Sequence, residues 1–217
     1  MTDVDEIRRY YDAILPFYDA SLADRGDLPF WESMAKRWGA RRILELGCGT
    51  GRVAEVLSRH AEVTAVDLLL EMLFRARRKA PRAQFVAADL REFALTSTFD
   101  LIVLADDPMA HLISNDDRAK VLRLIVDHLA PGGQVVLEGL YRHEPRRTAD
   151  ESWTPTDAPF VWRASYSGIT TLLRSWSRQE VEHIADAGLH VESIWGDFSE
   201  GAFREDSERM IVVGSKI

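Results

Sequence analysis

Three carboxylates, Glu45, Asp67 and Asp89, stand at equal spacing along the chain, each at the end of a short apolar run. Glu45 leads into Leu46-Gly47-Cys48-Gly49-Thr50-Gly51-Arg52. Glycines there allow both a tight turn and close approach of the backbone to a ligand. The spacing G-x-G-x-G departs from the dinucleotide fingerprint G-x-G-x-x-G, in which a helix N-terminus faces a pyrophosphate. A carboxylate at Glu45 also repels a pyrophosphate and favours a cationic ligand. Asp67 is placed to accept hydrogen bonds from both hydroxyls of a ribose. Asp89 can reach an adenine amino group, with Leu68 and Leu90 offering apolar faces to the ring. Any one of the three can be a helix cap or a solvated loop charge. In series they point to a nucleoside site.

A second constellation is Ala105-Asp106-Asp107-Pro108-Met109-Ala110-His111-Leu112. His111 is the candidate general base, because an imidazole can take a proton near neutral pH. A lone histidine is more often structural, so its position beside the nucleoside site carries the assignment. Asp106 and Asp107 can bind an amine or orient His111, since adjacent carboxylates perturb one another's acidity. The plainer reading is one loop cap and one solvated charge. Trp153, Phe160, Trp162, Tyr166 and Trp195 can line an aromatic acceptor pocket or form the small core of a lid.

The elements that must position these residues read as α/β. Short runs rich in Val, Ile and Leu alternate with amphipathic stretches, the pattern of helices covering a buried parallel sheet. Strands are predicted at Arg42 to Leu46, Val63 to Val66, Gln84 to Ala87, Phe99 to Ala105 and Gln134 to Leu140, with two more at Leu189 to Trp195 and Arg209 to Ser215. Helical spacing covers Gly51 to His60 and Leu70 to Ala80, the latter ended by Pro81. Asp116 to Leu129 is a helix capped by Ser114 or Asn115 and closed by Pro131-Gly132-Gly133. Another opens on the capping box Ser177-Arg178-Gln179-Glu180 and stops at Gly188. Glu6 to Trp38 reads as mostly helical, with Tyr11 and Tyr18 seven residues apart on one helical face. Arg142 to Gly168 has little periodicity and reads as an excursion from the sheet, after which regular structure resumes at Thr170 to Trp176.

The 217 residues suit a single domain, with residues 1–40 as a helical cap and 142–170 as a lid insertion. The 46% hydrophobic and 29% charged composition is that of a soluble globular protein. A net charge of -8 opposes binding of phosphate backbones, so no nucleic-acid partner is expected. The acidic start is unlike a secretion signal and no apolar run is long enough to span a bilayer, so a cytoplasmic location off the membrane is expected. The single Cys48 provides neither a disulfide nor a metal pair, and no metal site is expected.

In these motifs the chain resembles the class I S-adenosylmethionine-dependent methyltransferases, from about Tyr11 to the C-terminus. The glycine-rich turn, Asp67, Asp89, Phe99-Asp100-Leu101-Ile102-Val103 and Leu129-Ala130-Pro131-Gly132-Gly133 occur in the family's order. The resemblance implies a Rossmann-like, doubly wound sheet of seven strands, mostly parallel with an antiparallel last strand. S-adenosylmethionine is the implied cofactor and S-adenosylhomocysteine its product. Backbone contacts are implied from Leu46, Ala88 and Ala105, and side-chain contacts from Met72, with Tyr11 and Tyr18 folding over the cofactor. Arg52 is a candidate partner for the cofactor carboxylate, and Cys48 is a turn residue and not a nucleophile. The chain is also similar to a small-molecule subgroup that includes antibiotic-pathway aminosugar N-methyltransferases, whose equivalent loop often ends in a His-Leu pair implicated in catalysis. Asp106-Asp107-Pro108 departs from the small polar residues usual there. The expected reaction is in-line transfer of a methyl group to an O or N nucleophile of a small molecule, by a monomer or homodimer. The alternatives are a nucleotide-cofactor oxidoreductase and a catalytically inactive methyltransferase-like binding protein.

Overall fold

Ile43 and Leu44 are both buried, yet they are neighbours in one strand and so point to opposite faces of the sheet. Such a strand needs a helical layer on each side. The computed structural model, which describes residues 4–141, 146–147 and 151–216, supplies both. Seven strands form the main sheet: β1 (Arg42–Leu46), β2 (Glu62–Asp67), β3 (Gln84–Ala87), β4 (Phe99–Leu104), β5 (Leu129–Leu140), β10 (Leu189–Trp195) and β11 (Arg209–Lys216). Their order is β10-β11-β5-β4-β1-β2-β3. Strands β1 to β5 pair in parallel, whereas β11 runs antiparallel to both β5 and β10. The expected seven-stranded sheet with an antiparallel last strand is present.

Helices α3 (Leu28–Arg37) and α4 (Arg52–Leu57) bury Trp31, Met34, Val53 and Leu57 with Ile43 on one face. On the other, α6 (Asn115–His128) and α7 (Gln179–Asp186) bury Val121, Leu122, Ile125 and Ile184 with Leu44. Helix α5 (Leu70–Lys79) ends just before Pro81, as expected. The Ser114 hydroxyl caps α6, accepting from the Asp117 N–H at 3.1 Å. The chain reverses its direction of winding at β1, which lies between β4 and β2, and the crevice at the carboxyl ends of those strands is where ligands bind in open α/β sheets.

Several expectations are corrected. The N-terminal segment is three helices, α1 (Val4–Ile14), α2 (Tyr18–Ser21) and α3, because Pro16 interrupts it, and Tyr11 and Tyr18 therefore sit on different helices. Helix α4 stops at Leu57, short of His60. Strand β5 starts at Leu129, which pairs with Phe99 before the register slips, so Pro131-Gly132-Gly133 is a bulge inside the strand. The capping box at Ser177 does not form: α7 has no side-chain cap, and Glu180 instead meets Arg174 at 2.8 Å and Arg118 at 3.1 Å. A buried ion pair outcompetes a local cap.

The excursion after β5 is itself a sheet. Strands β6 (Arg146–Arg147), β7 (Glu151–Pro155), β8 (Val161–Tyr166) and β9 (Ile169–Arg174) pair antiparallel in that order, while residues 142–145 and 148–150 lie outside the described residues. Trp153, Trp162, Ala164 and Leu173 form its inner face and pack on Tyr10 of α1.

Trp176 joins the two sheets. Its ring lies against Gly139 of β5 so closely that a Cβ at that position would enter the indole. Gly139→Ala is therefore expected to cost ~1–3 kcal/mol of stability through overpacking. A thermal melt superimposable on that of the parent would show that Trp176 can move aside without loss.

Candidate functional site

A cleft of about 790 Å³, counted with its solvent-open mouth, lies at the carboxyl ends of β1, β2 and β4. Asp67 stands on its floor, where Oδ2 accepts the Gly49 N–H at 2.8 Å and Oδ1 accepts the Leu69 N–H at 2.9 Å. Burial pushes its carboxyl above the usual range, and these backbone bonds partly oppose the rise. Leu68, Met72 and Leu90 line the same space with Asp89. The Asp89 carboxylate is gripped by the Arg91 guanidinium, with Nε at 2.9 Å. Despite burial, Arg91 holds that carboxyl below its ordinary range. Ala88 pairs its N–H with the Asp67 carbonyl at 3.0 Å, and Leu46 is fully buried behind the turn.

The glycine-rich turn needs its glycines. Gly47 has φ +73°, and a Cβ on it would collide with the Pro108 ring. Behind the turn a smaller pocket of about 270 Å³ is lined by Glu45, Arg52, Ala105, Asp106 and Tyr18. Glu45 is 2% exposed, and among the described residues its Oε2 has no hydrogen-bond partner. Burial, with Asp67 nearby and against the pull of Arg52, raises its carboxyl to about 8.

The loop after β4 carries strain at the junction. Asp106 and Asp107 adopt φ +61° and +52°, a left-handed conformation that costs a side-chain-bearing residue about 1–2 kcal/mol. Asp107 is held by what it binds: Oδ2 accepts the Leu140 N–H at 2.8 Å and Oδ1 the Trp176 indole N–H at 2.9 Å. Burial nevertheless raises its carboxyl to about 7. Asp106 borders the cleft, the small pocket and a third, larger space, as does Tyr18. Burial first, then Glu138, raise the Asp106 carboxyl to about 6 against the opposing Arg25. His111 ends the single turn Pro108–His111, with Nε2 3.0 Å from the Tyr11 hydroxyl. Burial lowers its imidazole to about 4, so the ring is neutral at physiological pH. Burial also lifts the Tyr11 phenol well above its usual value, so that hydroxyl keeps its proton.

Sequence reasoning missed Arg25 and Arg118, two of the cations that hold this loop, and gave Arg52 a different partner. Arg25, between α2 and α3, contacts Asp106 at 2.6 Å and Asp27 at 3.2 Å, and also pairs with Glu138. Arg52 forks onto Asp27 at 2.6 and 2.8 Å, which is where its guanidinium goes. Arg118, 1% exposed on α6, donates to the Leu112 carbonyl at 2.9 Å and to the Arg174 carbonyl at 2.8 Å. Two residues of this network had signals. Arg118 interrupts the apolar stripe of Val121, Leu122 and Ile125, and Glu138 interrupts the apolar strand Val135-Val136-Leu137. Arg25 had none, since it reads as one charge in a polar loop.

The third space, about 1370 Å³, adjoins the cleft across Tyr11, Tyr18, Asp106 and His111. Tyr10, Phe17, Trp153, Tyr166 and Glu151 form its far walls. Of the five aromatics singled out in the sequence, Trp153 and Tyr166 thus line it. Trp162 is in the core of the small sheet, Phe160 is exposed, and Trp195 packs on Phe30 with ring centroids 6.0 Å apart.

Comparison with known proteins agrees with this architecture. Residues 43–133 match the model of a methyltransferase domain family. A trans-aconitate 2-methyltransferase of Azoarcus sp. (strain BH72) is 35% identical over 180 residues, covering 72% of this chain and 68% of that one. A dTDP-3-amino-3,4,6-trideoxy-alpha-D-glucopyranose N,N-dimethyltransferase of Streptomyces venezuelae is 29% identical over 141 residues, covering 64% of this chain and 56% of that enzyme. In fold, the chain resembles an S-adenosylmethionine-dependent methyltransferase from Clostridium acetobutylicum, with TM-score 0.77 at 18% identity over 95% of this chain and 98% of the other. With the glycine turn, the carboxylates at successive strand ends and this sheet order, the chain belongs to the S-adenosylmethionine-dependent methyltransferases.

Proposed function

We propose that S-adenosylmethionine lies across the cleft and the small pocket, and that a small-molecule acceptor with an O or N nucleophile enters the larger space. The observation that carries this reading is the shared wall: Tyr11, Tyr18, Asp106 and His111 border both the cleft and the larger space, so two ligands can meet there. The residues present fit the cofactor. Asp67 offers a carboxylate for a ribose diol, while Leu68, Met72 and Leu90 offer apolar faces for an adenine. The orphaned carboxyl oxygen of Glu45 in the small pocket suits the cationic amino-acid end. Family membership displaces the oxidoreductase alternative.

When bound between Asp67, Leu68, Met72 and Leu90, the cofactor would supply an electrophilic methyl group on a sulfonium, with the thioether sulfur as the leaving group for an acceptor lone pair. The chain's own residues do the rest. Tyr11 and Tyr18 line the junction of the two spaces. His111, held by the Tyr11 hydroxyl, presents a neutral edge. The acceptor's proton goes to Asp106, the stronger base of the two, since its carboxyl lies at about 6 against about 4 for the imidazole. Asp107 positions the loop through Leu140 and Trp176.

Isothermal titration with S-adenosylhomocysteine tests the reading directly: saturable one-to-one binding is expected, and its absence ends the proposal. The pH profile tests the base. Asp106 must be ionised to accept a proton, so kcat/KM is expected to fall as pH drops through about 6. An acid limb at about 4 would transfer the role to His111.

A further inference from the structure

We infer that Glu138, buried in β5 and lining none of the three spaces, is a positioning residue for methyl transfer: it fixes the backbone of Asp106 and shares the guanidinium that faces the Asp106 carboxylate. This rests on the reading of Asp106 as the proton acceptor.

A carboxylate stands here where the strand favours an apolar side chain. Glu138 follows Val135, Val136 and Leu137, all fully buried, and its own side chain is fully buried too. Burying a charge is costly unless it is paired and hydrogen-bonded, and an aliphatic residue would serve the sheet without that cost. The carboxylate is explained by what it binds. Its Oε2 accepts the Asp106 N–H at 2.8 Å, and its Oε1 pairs with the Arg25 guanidinium. Another nitrogen of Arg25 reaches Asp106 Oδ1 at 2.6 Å. The three groups thus close a circuit: the Glu138 carboxylate holds the loop N–H, the loop carboxylate holds the guanidinium, and the guanidinium returns to Glu138. Arg209 adds a longer contact to Glu138 at 3.6 Å.

The bond to the Asp106 N–H answers the strain in this loop. A left-handed backbone on two successive aspartates persists only where the surroundings over-determine it. Both residues are pinned to β5, Asp106 by its N–H to the Glu138 side chain and Asp107 by its side chain to the Leu140 N–H at 2.8 Å. Glu138 and Leu140 are two residues apart in one strand and so share a face of the sheet. With the backbone held in this way, Asp106 borders the cleft, the small pocket and the larger space together.

Sharing Arg25 has a chemical consequence. A guanidinium paired with Asp106 alone would hold that carboxylate strongly acidic, and a strongly acidic carboxylate is a poor proton acceptor. Glu138 sets a second negative charge against the same guanidinium and leaves Asp106 more basic. Asp106 is faced by Arg25 and Asp27 from the α2–α3 connection, Arg52 from α4, Glu138 from β5, Tyr11 and Tyr18 from the N-terminal helices, and by its neighbour Asp107, with His111 lining the same cleft. Among these acids Glu138 raises the Asp106 carboxyl more than Asp27 does.

The test reads the Asp106 carboxyl directly, by carbon-detected NMR of the full chain isotope-labelled in the aspartate side-chain carboxyl, with Asp106→Asn identifying the signal. In the parent it is expected to titrate at about 6. Glu138→Gln, which is nearly isosteric, should bring the midpoint below about 5, because Arg25 then pairs with Asp106 alone. Glu138→Asp keeps the charge beside Arg25 but draws the carboxylate back from the loop. Its midpoint should stay near 6, while the Asp106 amide proton loses the downfield shift of a charge-assisted hydrogen bond. A merely structural role for Glu138 would lower the melting temperature of both variants and move neither signal in this pattern. Should the Gln variant fail to fold, the amide proton of the Asp variant decides. A parent Asp106 titrating near the ordinary value of about 4 refutes Asp106 as the base and the inference with it. A parent near 6 with the Gln variant unmoved overturns the inference alone, and so does an Asp106 amide proton unchanged in the Asp variant.

Discussion

Asp67→Ala is expected to weaken S-adenosylhomocysteine binding by roughly 10²–10³-fold, the loss of two charge-assisted hydrogen bonds at ~1.5–2 kcal/mol each. Two losses coincide at this position. The ribose hydroxyls lose their acceptor, and the Gly49 and Leu69 N–H groups, now at 2.8 and 2.9 Å from the carboxylate, lose theirs. Because Gly49 belongs to the glycine turn, part of the effect comes through the turn's conformation. Asp67→Asn separates the contributions: its amide oxygen still accepts one bond, while its NH₂ faces a donor, so an intermediate affinity is expected. Calorimetry checks both variants. A dissociation constant for the Ala variant within a factor of about 3 of the parent would remove Asp67 from the ligand site, since that is below one hydrogen bond.

That Asp67 could be placed at a strand end beside Glu45 and Asp89 from sequence has a geometric cause. In a parallel sheet, strands entering from the same side end at the same edge, so a residue just past one strand lies near a residue just past the next. Across the β1–β2 register Glu45 is paired with Ala65 and Leu46 with Val66, so Asp67 lies two residues beyond the partner of Glu45, and Asp89 follows β3, whose Ala87 is paired with Asp67. The alternation of buried runs that fixed those strand ends is local, and so the residues lining the cleft could be read from it. What these carboxylates bind in the structure was not legible. Asp89 is held by Arg91, and Arg52 turns to Asp27, because those partners are chosen by three-dimensional packing.

The larger space beside the cleft was legible only in outline. Alternation in β7 and β8 is carried by Trp153, Trp162 and Ala164 on the inner face, but the outward Thr154, Arg163 and Ser165 are too mixed to mark strands. The spacing of Tyr11 and Tyr18 suggested one helix face. Pro16 breaks that helix, yet the two rings still meet edge to face with centroids 6.1 Å apart, since the chain turns back over the cleft. The shared helical face is thus absent, and tertiary packing brings the two rings together instead. His111 was read as the candidate base from its type, its place in the loop beside the nucleoside site and the family resemblance. Burial against Tyr11 makes it the weaker acceptor, while the same burial strengthens Asp106. Desolvation acts oppositely on imidazolium and carboxylate, and no sequence pattern reports it.

Arg25→Met is expected to be the most damaging single change to stability, because it leaves three carboxylates sharing a site designed around a cation. Arg25, Arg52 and Arg209 stand against Asp27, Asp106 and Glu138, with Arg25 in contact with all three acids. Asp27 and Glu138 have fully buried side chains, so water does not replace the missing guanidinium. Breaking a buried ion network by removing one partner costs ~3–5 kcal/mol, far more than an exposed pair. For a chain of this size that lowers the melting temperature by roughly 6–20 °C. The deficit also has a pH signature. Without Arg25 the acids bind protons more tightly in the folded state, Asp106 above its present value of about 6. A folded state that binds more protons gains stability relative to the parent as pH falls. The gap between the two melting curves should therefore narrow from about pH 8 to 5, as these acids take up protons. Arg25→Lys keeps the charge but not the fork, so it should recover part of the loss. A Met variant that melts within about 1 °C of the parent across this range would show the three acids finding other partners, and with that the loop at Asp106 would no longer depend on the N-terminal helices.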